Sequence, residues 1–166
     1  MNLQYKKWMH FFVMHPKYVS AINFTNKILT FAAFILYPVL IGGMVLQMDK
    51  RAIALLFVPA FSFVAVSIIR KLFHKPRPYE IYDFQPVIPR EKNGDSFPSR
   101  HVFSMFLIAT LWFGIWKPIG IFLLLSGTIL AFIRVIGGVH FPKDVLWGGI
   151  IGIFCGALTL LLCTLG

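Results

Sequence analysis

Residues 119–165 read IGIFLLLSGTILAFIRVIGGVHFPKDVLWGGIIGIFCGALTLLLCTL: two apolar runs, 119–136 and 145–165, separated by a short segment carrying Arg134, His140, Lys143 and Asp144. A helix crosses a bilayer with roughly 20 apolar residues, and each run reaches about that length. The connection is too short for anything but a turn, and Pro142 suits the first turn of the second helix. The stretch therefore reads as two antiparallel spans whose polar groups meet at one membrane surface.

The same reading extends outward. Runs at 28–48, 52–69 and 102–116 complete five spans, the third short but able to extend back through Pro98-Ser99-Arg100-His101. Asp49-Lys50-Arg51 and Lys117-Pro118 are very short connections, so spans one and two, and spans three and four, are antiparallel neighbours. With 58% hydrophobic and 16% aromatic residues and a mean hydropathy of +0.77, the 166-residue chain exceeds what a water-soluble domain carries. The expected fold is an all-α integral membrane helical bundle of about five transmembrane helices, one domain over 28–166. Residues 1–27 mix Trp8, Phe11, Phe12 and Met14 with Lys6, Lys7, His10, His15 and Lys17, the composition of an amphipathic helix lying in the interface. His10, His15, Pro16 and Lys17 interrupt the apolar stretch, so no cleaved signal is expected. Cys155 and Cys163 lie about two turns apart on one helix, too far to bridge.

Sixteen Lys and Arg against six Asp and Glu give a formal charge of +10, which favours anionic partners. In so apolar a chain these are membrane lipids or a phosphorylated substrate, not nucleic acid. Oligomeric state is not legible.

Polar residues concentrate at three places, all at span ends on one side. The first is Arg70-Lys71-Leu72-Phe73-His74-Lys75-Pro76-Arg77-Pro78, where the prolines break the helix before Arg77. In the second, Phe97-Pro98-Ser99-Arg100-His101, Pro and Ser before an apolar run mark a helix N-terminus, whose free N–H groups and dipole attract an anion. The third is Arg134 to Asp144, where Asp144 falls near His140 across the helix start, and Gly137-Gly138 would let backbone approach a ligand closely. A carboxylate accepting from one imidazole nitrogen leaves the other free to attack or to take a proton.

Alone, each place has a plainer reading: a basic interfacial anchor, an ordinary cap with a snorkelling histidine, a glycine-rich turn. Together they assemble two histidines, one carboxylate and at least four cations around a helix N-terminus, the inventory for phosphoryl transfer through a phosphoenzyme. Cations and backbone donors hold the equatorial oxygens, one His attacks phosphorus and the other protonates the leaving oxygen. Arginines crowding the site argue against a metal, which wants several oxygen ligands.

The pattern resembles the type 2 phosphatidic acid phosphatase family, whose signatures are K-x6-R-P, P-S-G-H and S-R-x5-H-x3-D. Here they read Arg70-x6-Arg77-Pro78, Pro98-Ser99-Arg100-His101 and Ile133-Arg134-x5-His140-x3-Asp144, in order over about 28–165. The resemblance implies that Arg70, Arg77, Ser99 and Arg134 bind phosphate, that His101 is the general acid, His140 the nucleophile and Asp144 its partner, and that no metal or other cofactor takes part. Arg70 stands where the family has Lys, keeping the charge with a planar fork, and Lys71 can share its role. Arg100 replaces a Gly and adds a cation at the site's mouth, favouring a more highly charged head group such as a diphosphate. Ile133 replaces Ser and removes a donor.

The expected activity is that of a bacterial-type lipid phosphatase acting on undecaprenyl diphosphate, phosphatidylglycerol phosphate or phosphatidic acid. Transfer of the phosphoryl group to an alcohol is an alternative, and a non-enzymatic transporter or lipid-binding protein is another. A transporter would carry polar groups near mid-span, where few occur here. The wider relatives include soluble vanadium haloperoxidases, which five apolar spans make remote. The positive-inside rule places the site in the cytoplasm, with thirteen Lys and Arg on its side (Lys6, Lys7, Lys17, Lys27, the seven from Arg70 to Arg100 including Lys92, Arg134 and Lys143) against Lys50, Arg51 and Lys117. Six of the thirteen belong to the motifs (Arg70, Lys71, Lys75, Arg77, Arg100, Arg134), however, and the resemblance implies the outer face of a bacterial cytoplasmic membrane.

Overall fold

The computed structural model describes residues 2–90 and 94–165, and Lys92 of the charge count lies outside them. Among the described residues the regular structure is entirely helical: α1 (Asn2–Met14), α2 (Pro16–Leu46), α3 (Arg51–Phe73), α4 (Pro78–Tyr82), α5 (Arg100–Ile115), α6 (Lys117–Ile136) and α7 (Pro142–Leu165). Four segments, Pro16–Leu46, Arg51–Tyr82, Lys117–Ile136 and Pro142–Leu165, are long and apolar enough to cross a membrane. The fifth expected span is α5, at 16 residues about 24 Å long.

One boundary differs from the sequence reading. The first long helix begins at Pro16, not near residue 28, and runs for 31 residues. That is about 46 Å, more than the roughly 30 Å of hydrocarbon. Pro16 occupies the first turn, where its missing N–H costs nothing, and Lys17, Asn23, Asn26 and Lys27 do not interrupt a helix. A search for apolar length finds only the part of α2 that suits lipid.

Helix α5 is the central element, with Val102, Met105, Ala109 and Leu111 fully buried among α2, α3, α6 and α7. Lipid tails are as apolar as Leu, so close packing must hold the helices together. Gly148, Gly152 and Gly156 supply it along one face of α7. A Cβ at Gly152 would lie 2.5 Å from the Phe103 carbonyl oxygen, so α7 approaches α5 at backbone distance. That approach lets Ser99 N–H donate to the Asp144 carbonyl at 2.9 Å and brings the second and third motifs together. In α3, Pro59 cannot donate to the Leu55 carbonyl. Tyr37 on α2 donates its hydroxyl to that oxygen at 2.9 Å, meeting a group that lipid could not.

Candidate active site

Helix α3 presents Arg70 inward in its last turn, 4% exposed, and leaves Lys71, one position round, exposed. The helix stops at Phe73 and His74 turns the chain with φ +37°. Glu80 then ties the following loop together, accepting the Arg77 N–H at 2.6 Å and the Gly94 N–H at 2.8 Å. So held, Arg77 is 2% exposed and donates through Nε to the Gly94 carbonyl at 3.1 Å. Arg70 donates to the Pro98 carbonyl at 2.5 Å, which joins the end of α3 to the start of α5.

Ser99 is the N-cap of α5, its backbone extended and its side chain fully buried. Its hydroxyl makes no bond to the helix it caps and has no hydrogen-bond partner among the described residues. A buried hydroxyl left unmet costs about 1–3 kcal/mol, and a phosphate oxygen at this N-terminus would meet it. His101, half-buried in the first turn of α5, lines a cavity of about 670 Å³ between α2, α3 and α5. Arg100 lines it too, but is exposed, its guanidinium 5.8 Å from the Phe63 ring centre.

Arg134, in the last turn of α6, places a guanidinium nitrogen 3.3 Å from Nε2 of His140, and both side chains are 1% exposed. A guanidinium only donates, so Nε2 is the acceptor and the ring proton sits on Nδ1. Burial pushes the His140 imidazole well below its ordinary value; Asp144 opposes the shift, and Arg134 and Arg77 add to it. The ring is therefore neutral near neutral pH, with a lone pair on the nitrogen that faces the arginines.

The structure gathers Arg70, Arg77, Ser99, Arg134, His140 and Asp144 into one buried group, and His101 lines the cavity two residues along α5 from Ser99. Lys71 and Arg100 stay outside the group. Two details differ from the sequence reading. Asp144 Oδ2 stands 3.8 Å from His140 Nδ1, beyond hydrogen-bond reach. Between them lies Ser96, fully buried, whose hydroxyl donates to Oδ2 at 2.5 Å and is 3.5 Å from Nδ1. Gly138, at φ +78°, makes room for the chain's own Phe84 ring, which a Cβ there would meet at 2.7 Å.

Two residues were missed. Nothing sets Ser96 apart in a loop already rich in polar residues. Tyr5, 3% exposed, donates its hydroxyl to the His140 carbonyl at 3.2 Å and stacks on Phe84, so α1 packs over the loop that carries the histidine. Burial raises the Tyr5 pKa to about 12, with Asp144 and Tyr82 contributing, and keeps it a donor. The helical spacing of Tyr5, Met9 and Phe12 signals an inward face, but not what it covers.

Among the described residues no group of three His, Cys, Asp or Glu side chains is placed to hold a metal. Residues 51–164 match the family model described as the PAP2 superfamily. The structure is similar to the crystal structure of Aquifex aeolicus LpxE, with 27% identity, a TM-score of 0.65 and coverage of 89% of this chain and 94% of that one. It also matches the fold of the first transmembrane PAP2 type phosphatidylglycerolphosphate phosphatase from Bacillus subtilis, with a TM-score of 0.73 at 19% identity, covering 97% of this chain and 83% of the other. No functionally curated protein matches the chain.

Proposed function

Because this chain belongs to the PAP2 superfamily, we propose that it is an integral membrane phosphatase that hydrolyses a lipid phosphate or diphosphate through a phosphohistidine on His140, without a metal. The observation that carries this reading is the junction of two unlike environments. A buried basic group holding Arg70, Arg77, Arg134 and a neutral histidine gathers at Ser99, the N-cap of α5, and the next two residues of that helix, Arg100 and His101, line an apolar cavity with Ala33, Phe34, Phe63 and Leu107. A phosphate suits the first and a hydrocarbon chain the second.

In the reaction the three guanidiniums, Ser99 and the α5 N-terminus take the equatorial oxygens. Arg134 then bonds phosphate instead of Nε2, freeing the lone pair to attack phosphorus in line. The N–P bond forms as the P–O bond breaks, and His101 protonates the departing oxygen. It next takes a proton from the water that cleaves the N–P bond, releasing inorganic phosphate. Three buried cations already supply the charge stabilisation a metal would bring and oppose a fourth.

Arg100 supports a preference for a second phosphate, since it lines the cavity with an exposed guanidinium outside the buried group. An exposed ion pair is worth about 0.2–1 kcal/mol, so the preference it adds is modest. The test is inorganic phosphate release, in detergent with EDTA, from undecaprenyl diphosphate, phosphatidylglycerol phosphate and phosphatidic acid. Release should persist under chelation and be inhibited by orthovanadate, which mimics five-coordinate phosphorus. Arg100→Gly should lower the diphosphate-to-monophosphate rate ratio about two- to fivefold. Activity lost to EDTA and restored by added metal would sink the metal-free mechanism, and an unchanged ratio would remove Arg100 from substrate selection.

The remaining elements of the reading are a bacterial cytoplasmic membrane, an extracytoplasmic active site, and residues 1–27 in the interface. Support for the orientation is the family resemblance, against the charge count. A Cys at exposed Gln85, in a Cys155→Ser, Cys163→Ser background, should react with an impermeant maleimide in intact cells. Labelling only after lysis would reverse the topology.

A further inference from the structure

We infer that Ser96 is a positioning residue through which Asp144 orients His140, so that the carboxylate acts on the nucleophile by way of a hydroxyl and not directly. This deepens the proposed phosphohistidine reading and rests on it.

Hydrogen-bond direction fixes the order of the chain. Arg134 can only donate, so Nε2 accepts and Nδ1 carries the proton, facing the Ser96 oxygen at 3.5 Å. The Ser96 hydroxyl in turn donates to Asp144 Oδ2 at 2.5 Å. Oδ2 also accepts the Phe141 N–H at 2.9 Å, which fixes the carboxylate against the loop holding the histidine. Nδ1 and Oδ2 stand 3.8 Å apart, too far for a direct hydrogen bond, while the Ser96 oxygen is nearer to each of them. Ser96 is itself anchored, its N–H donating to the Lys75 carbonyl at 2.9 Å, and its side chain is fully buried.

The consequence is chemical as well as geometric. When Nε2 bonds phosphorus the ring becomes cationic, and its Nδ1 proton remains in place, held by the serine oxygen. The hydroxyl, polarised by Asp144, is a better acceptor for that proton than an isolated serine. No proton leaves Nδ1, and the leaving group's proton still comes from His101.

The test is a double-mutant cycle of Ser96→Ala and Asp144→Asn on the rate of phosphoenzyme formation, with orthovanadate affinity measured beside it. Each single variant should slow formation about tenfold to a hundredfold, as outer partners of functional imidazoles do, and shift vanadate affinity much less. If Asp144 works through Ser96, the double variant is no slower than the slower single one. Ser96→Cys, whose thiol is a weak donor and acceptor, should fall between wild type and Ser96→Ala, and carries the test should the alanine variant fail to fold. In ¹⁵N spectra of histidine-labelled protein with inorganic phosphate bound, when Arg134 bonds phosphate and no longer fixes the tautomer, Ser96→Ala should lose the Nδ1–H preference of His140. Independent, multiplicative losses in the cycle, or a Ser96→Ala variant as fast as wild type, would overturn the inference. Failure of the wild type to form a phosphoenzyme would instead overturn the functional reading.

Discussion

His140→Ala is expected to lose turnover of every substrate, lipid or aryl phosphate, by about 10⁴-fold or more, because the nucleophile is needed whatever the leaving group. The variant should fold. His140 is buried and neutral, so its removal changes no charge, although it takes one acceptor from Arg134, and its loop stays anchored by the backbone bond from Val139 N–H to the Arg134 carbonyl at 3.3 Å. Arg70, Arg77 and Ser99 contact the chain independently of the imidazole, through the Pro98, Gly94 and Asp144 backbone groups. Binding of inorganic phosphate should therefore outlast the loss of rate. Comparable loss of binding and rate in a folded variant would make His140 a binding residue.

His101→Ala should divide substrates by leaving group. A general acid contributes about 10²- to 10⁴-fold where the departing oxygen needs a proton, so a lipid monophosphate should slow by that order. An activated aryl phosphate, whose phenolate leaves unaided, should lose less than about tenfold. The position of His101 in the cavity lining, two residues from Ser99, underlies this expectation. Equal losses for both substrates would assign His101 to phosphate binding.

The bundle was legible because apolar length is a one-dimensional signal: α3, α5, α6 and α7 start within a few residues of the runs that announce them. The start of α2 was not, since a helix can continue past the hydrocarbon where apolar length no longer reports it. Arg70, Arg77, Ser99, Arg134, His140 and Asp144, which the fold brings together, were picked out by the resemblance to the family's motifs, and each lies beside a helix end. Ser96 could not, because its importance comes from falling between two side chains of another segment, 44 and 48 residues away. Tyr5 escaped for the same reason, its partner being a backbone carbonyl 135 residues distant. Lys71 shows the converse: charge and position placed it in the site, but one step along a helix turns a side chain about 100°, and it faces outward.

The central claim, a phosphoryl group carried on His140, is tested most directly by acid-free denaturation of the enzyme during turnover of a ³²P-labelled substrate. The wild type should retain protein-bound label that is stable to base and lost in acid, the signature of phosphohistidine, and His140→Ala should retain none. Label trapped in His140→Ala but absent from His101→Ala would reverse the two roles, and a folded, active wild type that never traps label would contradict the covalent mechanism.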